Sequence, residues 1–194
     1  MGTFQSVVRR YQAAGIVGEI AYHGPQRVTP GELSENNLEN AYIARFYTKS
    51  ADDGRYTAGG VIDNDETLFG GIAITPKELV SFGNTDQGPL GATLKIAGNQ
   101  VIEFMEMGWV WLSAGTGDSA AEVRQGMKLV YDTTTGEISL VAGNTTASTQ
   151  EATGGDGETS QALPEGKAFV PNAVVWRTPG AETTGGMYVA KLTN

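Results

Sequence analysis

The 194-residue chain contains no cysteine, which excludes a disulfide framework, a thiolate metal site and a cysteine nucleophile. It has a single histidine, His23, so any Ser-His-Asp or histidine–metal chemistry would rest on one residue beside Gly24-Pro25. A solvent-facing turn histidine is the expectation. No apolar run approaches the ~18 residues that would carry a helix across a bilayer. No secretory signal is expected either, because Val7-Val8 runs straight into Arg9-Arg10. Helical periodicity over ten or more residues is missing almost everywhere. Basic residues are scarce as well: 13 Lys and Arg stand against 22 Asp and Glu, for a net charge of −9. Such a chain is a poor nucleic-acid binder, since phosphate contacts need clustered cations.

The charge is uneven. Residues 1–30 carry Arg9, Arg10 and Arg27 against Glu19, which is 3 − 1 = +2, and the remainder carries 10 − 21 = −11. A mildly basic head on an acidic body fits a docking arm for an acidic surface, or ordinary scatter of surface charge. The length suits one domain with peripheral segments, and a hydrophobic content of 40% argues against disorder.

Short apolar runs closed by Gly, Pro, Asn or Asp dominate what is present. That is the punctuation of strands joined by tight turns. Strands are expected at Tyr42–Thr48, 69–74, 92–97, 100–106, 108–113, 127–131, 137–141, 168–171, 173–178 and 187–192. Asp52-Asp53-Gly54 and Asp63-Asn64-Asp65 read as turns. Gly98-Asn99 and Thr134-Thr135-Gly136 read as hairpin turns, with Gly136 supplying positive φ. Thr75-Pro76 is suited to open one short helical turn. The fold class is all-β: a compact β-barrel or jelly-roll-like sandwich, with an extended N-terminal arm and a long polar loop.

Residues 1–31 form the arm, broken every few positions by Gly or Pro, and residues 32–194 form a single β domain. The arm is nevertheless apolar, with Phe4, Val7, Val8, Tyr11, Ile16, Val17, Ile20 and Tyr22. Those side chains need burial, over the arm's own domain or over a neighbouring subunit. From 142 to 162 the chain holds no large apolar residue and reads as an exposed, mobile loop.

Several constellations imitate chemistry. Asp63-Asn64-Asp65-Glu66 begins like a calcium loop, but Leu68 replaces the glycine and Ile74 the closing glutamate. Gly115-Thr116-Gly117 lacks the third glycine of a dinucleotide fingerprint. Asn144-Thr145-Thr146 fits a glycosylation sequon that has meaning only in a secretory pathway. Tyr56-Thr-Ala-Gly-Gly-Val-Ile-Asp63 resembles the pocket motif of trimeric dUTPases, without their following aromatic, their Arg-Gly-Glu or their Gly-rich tail. Trp109 and Trp111 share one strand face. Exposed, they would suit sugar rings; buried, they are core, which is the expectation.

The order of pieces resembles the structural cement (capsid decoration) proteins of tailed bacteriophages, of the Gp24-like type. The residues that carry it are Thr3-Phe4-Gln5-Ser6-Val7 with Arg9-Arg10, and then Gly71-Ile72 followed by Pro76-Lys77-Glu78. Further on come Met105-Glu106-Met107-Gly108, Val130-Tyr131-Asp132, Pro171-Asn172-Ala173 and Val189-Ala190-Lys191-Leu192. Segment 142–162 and Asp118–Gln125 are longer and more polar than that pattern. The resemblance implies a virion protein that is not an enzyme, needs no cofactor and no metal, and binds the outside of a phage capsid. There it would bridge capsomers against genome pressure after assembly in the host cytoplasm. Implied partners are the phage major capsid protein and further copies of itself, as a dimer or trimer at a symmetry axis, with no direct nucleic-acid or membrane contact. The arm side chains Phe4, Val7, Val8, Arg9, Arg10, Tyr11, Ile16, Val17 and Ile20 would make the contact. A stand-alone β-sandwich module binding carbohydrate or a host surface is the alternative, and a dUTPase-like enzyme a more distant third.

Overall fold

A computed structural model describes residues 16–34, 41–75, 101–113, 123–141, 163–177 and 187–193. Nine strands form among them, all paired antiparallel: β1 (Arg27–Glu32), β2 (Phe46–Ser50), β3 (Tyr56–Ala58), β4 (Thr67–Ile74), β5 (Val101–Ser113), β6 (Lys128–Asp132), β7 (Ile138–Val141), β8 (Lys167–Arg177) and β9 (Met187–Leu192). The pairing order is β3-β2-β4-β5-β9-β8-β6-β7, with β1 added on β5.

The path is one ladder, but β5 divides it into two sheets. Its first half pairs with β1 and β4, its second half with β9. In the first half Ile102 and Phe104 face one cluster while Met105 faces another; in the second half Val110 and Leu112 face the cluster that holds Met105. The inward parity has changed from odd to even, which a regular strand cannot do. One extra residue solves it. Arg27 opposes Met107 and Val28 opposes Met105, so Glu106 has no opposite number, and Gly108 follows at φ 139°. The Glu106 carboxylate accepts hydrogen bonds from Arg27 Nε and Thr29 Oγ1, which pins the bulge to β1.

The first sheet (β1–β4 and the start of β5) is buried on both faces. Phe46, Ile72, Ile74 and Met105 meet the second sheet. On the far side Tyr47, Tyr56, Phe104 and Ile102 pack with Ala41, Ile43 and Leu33. Tyr56 lies flat on Phe104 at 3.8 Å, and Tyr47 stands edge-on to Phe104 at 5.1 Å. The second sheet (β6–β9 and the end of β5) supplies Val110, Leu112, Leu129, Tyr131, Val175, Tyr188, Ala190 and Leu192 to the shared core. The β6–β7 turn locks the two together. Phe46 N donates to Gly136 O, Gly60 N to Thr133 O and Tyr131 Oη to Gly60 O, at 2.7–2.9 Å. Burial pushes the Tyr131 phenol up to about 12, so it donates as a neutral hydroxyl.

The all-β expectation holds, with the two-sheet form of a sandwich. A closed barrel does not form. The end of β1 reaches β3 through one bridge, Leu33 to Tyr56, and among the described residues no ladder follows. Several boundaries differ from expectation. β1 lies across the arm boundary placed at residue 31, a strand in spite of Pro30 and Gly31, because it sits on a sheet edge where a missing N–H is tolerated. β2 runs Phe46–Ser50 instead of Tyr42–Thr48, and β3 was not foreseen. Two pairs of expected strands, 100–106 with 108–113 and 168–171 with 173–178, are each one bulged strand. The Thr134-Thr135-Gly136 turn forms with Gly136 at φ 70°. The strand at 92–97, the Gly98-Asn99 turn, the turn after Thr75 and segment 142–162 lie outside the described residues.

Candidate interaction surface

Of the nine expected arm contacts, Phe4, Val7, Val8, Arg9, Arg10 and Tyr11 lie outside the described residues. The remaining three fall into two situations. Ile16 is 68% exposed, and Val17 is half-buried. Ile20 bridges Val110 and packs on the shared core of its own chain. Around it the backbone is stitched to β5: Gly18 N donates to Trp111 O, Trp111 N to Glu19 O and Ala21 N to Trp109 O, at 2.7–2.9 Å. Thr75 N also donates to Gly18 O. Residues 18–21 therefore belong to the body.

The tryptophans divide in the same way. Trp111 is buried, with 8% exposed. Trp109 is half-buried, with Tyr22 edge-on at 6.2 Å, so the pair does not present two open indoles to a sugar. A different aromatic is open: Trp176, at 42% exposure. Val175 opposes Ala190 and Arg177 opposes Val189, which leaves Trp176 as the extra residue of a β-bulge. Bulges re-aim side chains, and this one turns an indole out of a sheet. Lys191 extends its ammonium over Trp176 at 4.6 Å and stands 5.8 Å from the Trp109 ring. Arg177 Nη1 donates to Tyr22 Oη at 3.0 Å. The result is a contiguous strip, Tyr22–Trp109–Lys191–Trp176 with Arg177, drawn from β5, β8, β9 and the segment before β1. Its members are scattered along the chain, with Tyr22 and Arg177 155 positions apart.

The residues that imitate chemistry have structural occupations. His23 is exposed. Asp63 Oδ1 accepts the backbone N–H groups of Thr67, Asp65 and Glu66 at 2.8–3.0 Å. Those bonds, that from Thr67 foremost, hold its carboxyl below the usual range. The carboxylate that a dUTPase would aim at water is closing its own turn. Among the described residues no three His, Asp or Glu side chains cluster to hold a metal, and no helix is long and apolar enough to cross a membrane.

Likeness to known proteins agrees with this picture. The fold is similar to that of a chain in the capsid of Myoviridae Phage XM1, with a TM-score of 0.57 and 15% identity over 98% of both chains. At that identity the likeness concerns the fold. No curated protein matches the sequence. The family model of the structural cement protein (E217 gp24/Pam3 gp6) matches residues 4–193. With that match spanning nearly its whole length, the chain belongs to the structural cement protein family and is a structural protein associated with the phage capsid.

Proposed function

We propose that the protein binds the outer surface of a phage shell and bridges neighbouring capsomers, adding contact area across the seams that a packaged genome strains. The observation that carries this reading is the clamp at Gly18–Ala21, with Ile16 exposed just before it. An arm that starts from a fixed point can reach a partner without dragging on the fold. Its apolar side chains, Phe4 to Val17, then supply the contact, with Arg9 and Arg10 set against acidic groups that fix register and association rate. Individual contacts of modest strength suffice, because they repeat over a lattice. The partners are the major capsid protein and neighbouring copies of the chain, on the virion after assembly in the host cytoplasm. The protein performs no catalysis.

Deleting residues 2–15 tests this, because it spares the clamp. The shortened protein is expected to fold, with a melting temperature within a few degrees of the full chain, and to occupy undecorated shells at least tenfold more weakly. Decorated shells should also withstand heating or osmotic shock better than bare ones. Undiminished binding by the shortened protein would overturn the arm's role, and equal endurance of bare and decorated shells would overturn the stabilising one.

A further inference from the structure

The cationic aromatic strip is placed by the fold. Trp176 leaves the sheet on a bulge, so its indole meets water where an unbulged strand would have turned it otherwise. Lys191 lies between two indoles, and Arg177 is oriented by the Tyr22 hydroxyl. Among the described residues the one ion pair is Arg27 with Glu106, and neither Lys191 nor Arg177 has a carboxylate at ion-pair distance. Their neighbours are Trp and Tyr, which together with Arg concentrate at the energetic centres of protein interfaces.

We infer that the strip of Tyr22, Trp109, Lys191, Trp176 and Arg177 is a second docking surface, and that it receives a carboxylate-bearing segment of the shell protein. The inference rests on the shell-binding reading above and extends it: the arm and the strip would grip at two points. Charge complementarity selects the occupant. Lys191 and Arg177 can each gain a carboxylate partner on association, while Trp176 gives an apolar side chain of that segment a flat surface to cover. Arg177 adds a planar fork suited to a carboxylate, with Tyr22 already fixing its orientation. The arm's Arg9 and Arg10 call for the same sign of partner, so both grips are consistent with one acidic surface.

The experiment measures binding of the full chain to undecorated shells at two salt concentrations. Three forms are compared with it: Trp176→Ala, the pair Arg177→Glu with Lys191→Glu, and the chain lacking residues 2–15. Melting curves establish that each is folded; should the charge-reversed pair fail to fold, Lys191→Gln replaces it. The strip predicts at least tenfold weaker binding for Trp176→Ala and more for the charge-reversed pair. It also predicts a shallower loss of binding with salt once the cations are gone. Full-strength binding by the strip variants, with loss on removing residues 2–15, would overturn the strip and leave the shell-binding reading intact. A full chain that does not bind shells would sink both. If charge reversal instead abolishes self-association and leaves shell binding untouched, the occupant is a second copy and the acidic shell segment is ruled out.

Discussion

The two sheets share a core and differ in what they do with their other faces. The first packs its outer face, with Tyr47, Tyr56 and Phe104, against Leu33 and the segment at 41–44. The second turns Lys191, Trp176 and Arg177 toward water. Both are antiparallel and bulged, so backbone type does not separate them. Position of the bulge does. At Glu106 the extra residue changes which side of β5 meets the core, and Arg27 and Thr29 tie its carboxylate down. At Trp176 the extra residue carries an indole that is left at the surface. One device serves enclosure in the first sheet and display in the second.

The largest expected effect tests enclosure. Phe104 is fully buried and touches both Tyr47 and Tyr56. Phe104→Ala should cost about 3–5 kcal/mol, the usual range for emptying an aromatic site, as read from denaturant unfolding. Trp176→Ala on the other sheet should stay within about 0.5 kcal/mol of the parent, as surface changes do. Equal losses at the two positions would erase the distinction between the sheets.

A smaller effect is expected where the sheets join. Gly136 sits at φ 70°, and a Cβ there would collide with Phe46 O and lie 2.8 Å from Gly59 N. Gly136→Ala therefore combines a backbone penalty of about 1–2 kcal/mol with displacement of the turn that bonds Phe46. A loss near 2 kcal/mol in chemical unfolding is expected. A neutral result would show that the lock between the sheets is dispensable.

How far the sequence disclosed this division follows from its physical cause. β4, β6, β7 and β9 were legible because each is a short apolar run bounded by Gly, Asp or Thr, and the Gly136 turn was legible from one residue's conformational freedom. The bulges were not. An extra residue breaks alternation, so Met107 read as a gap between two strands where the chain only bends within one, and Asn172 misled in the same way. β1 was hidden by Pro30 and Gly31, which its edge position makes harmless. As to the site, apolar content marked the arm but could not divide it at Gly18, since the clamp consists of main-chain bonds to Trp109 and Trp111. The strip left one trace, an aromatic and an arginine after Val174-Val175. Its other members arrive only through the pairing of β8, β9 and β5.

The smallest expected effect concerns acid, and it falls on the turns. Asp63 is held below the usual carboxylate range by the amides of Thr67, Asp65 and Glu66, and Asp53 by the amide of Arg55 and the hydroxyl of Ser50. Burial tends to raise Asp132, but the Thr135 and Thr134 amides and the Thr135 hydroxyl outweigh it and bring it down. A carboxyl with a folded pKa below its unfolded value stabilises the fold fully above the unfolded value, near 3.9. That contribution is lost as the pH falls through the folded value. The melting temperature should therefore be level from pH 7 to 5 and decline from about pH 4 downward. The change should be gentle, since water screens groups this exposed. Replacing all three by asparagine keeps an acceptor oxygen at each turn while removing the titration, so the acid slope should flatten. Asp53 and Asp63 close turns of the first sheet, whereas Asp132 closes the turn that locks the two sheets. Flattening by Asp132→Asn alone would place acid sensitivity in the lock; flattening only with Asp53→Asn and Asp63→Asn added would place it in the enclosed sheet. An unchanged slope in the triple variant would show that none of these turns governs the response.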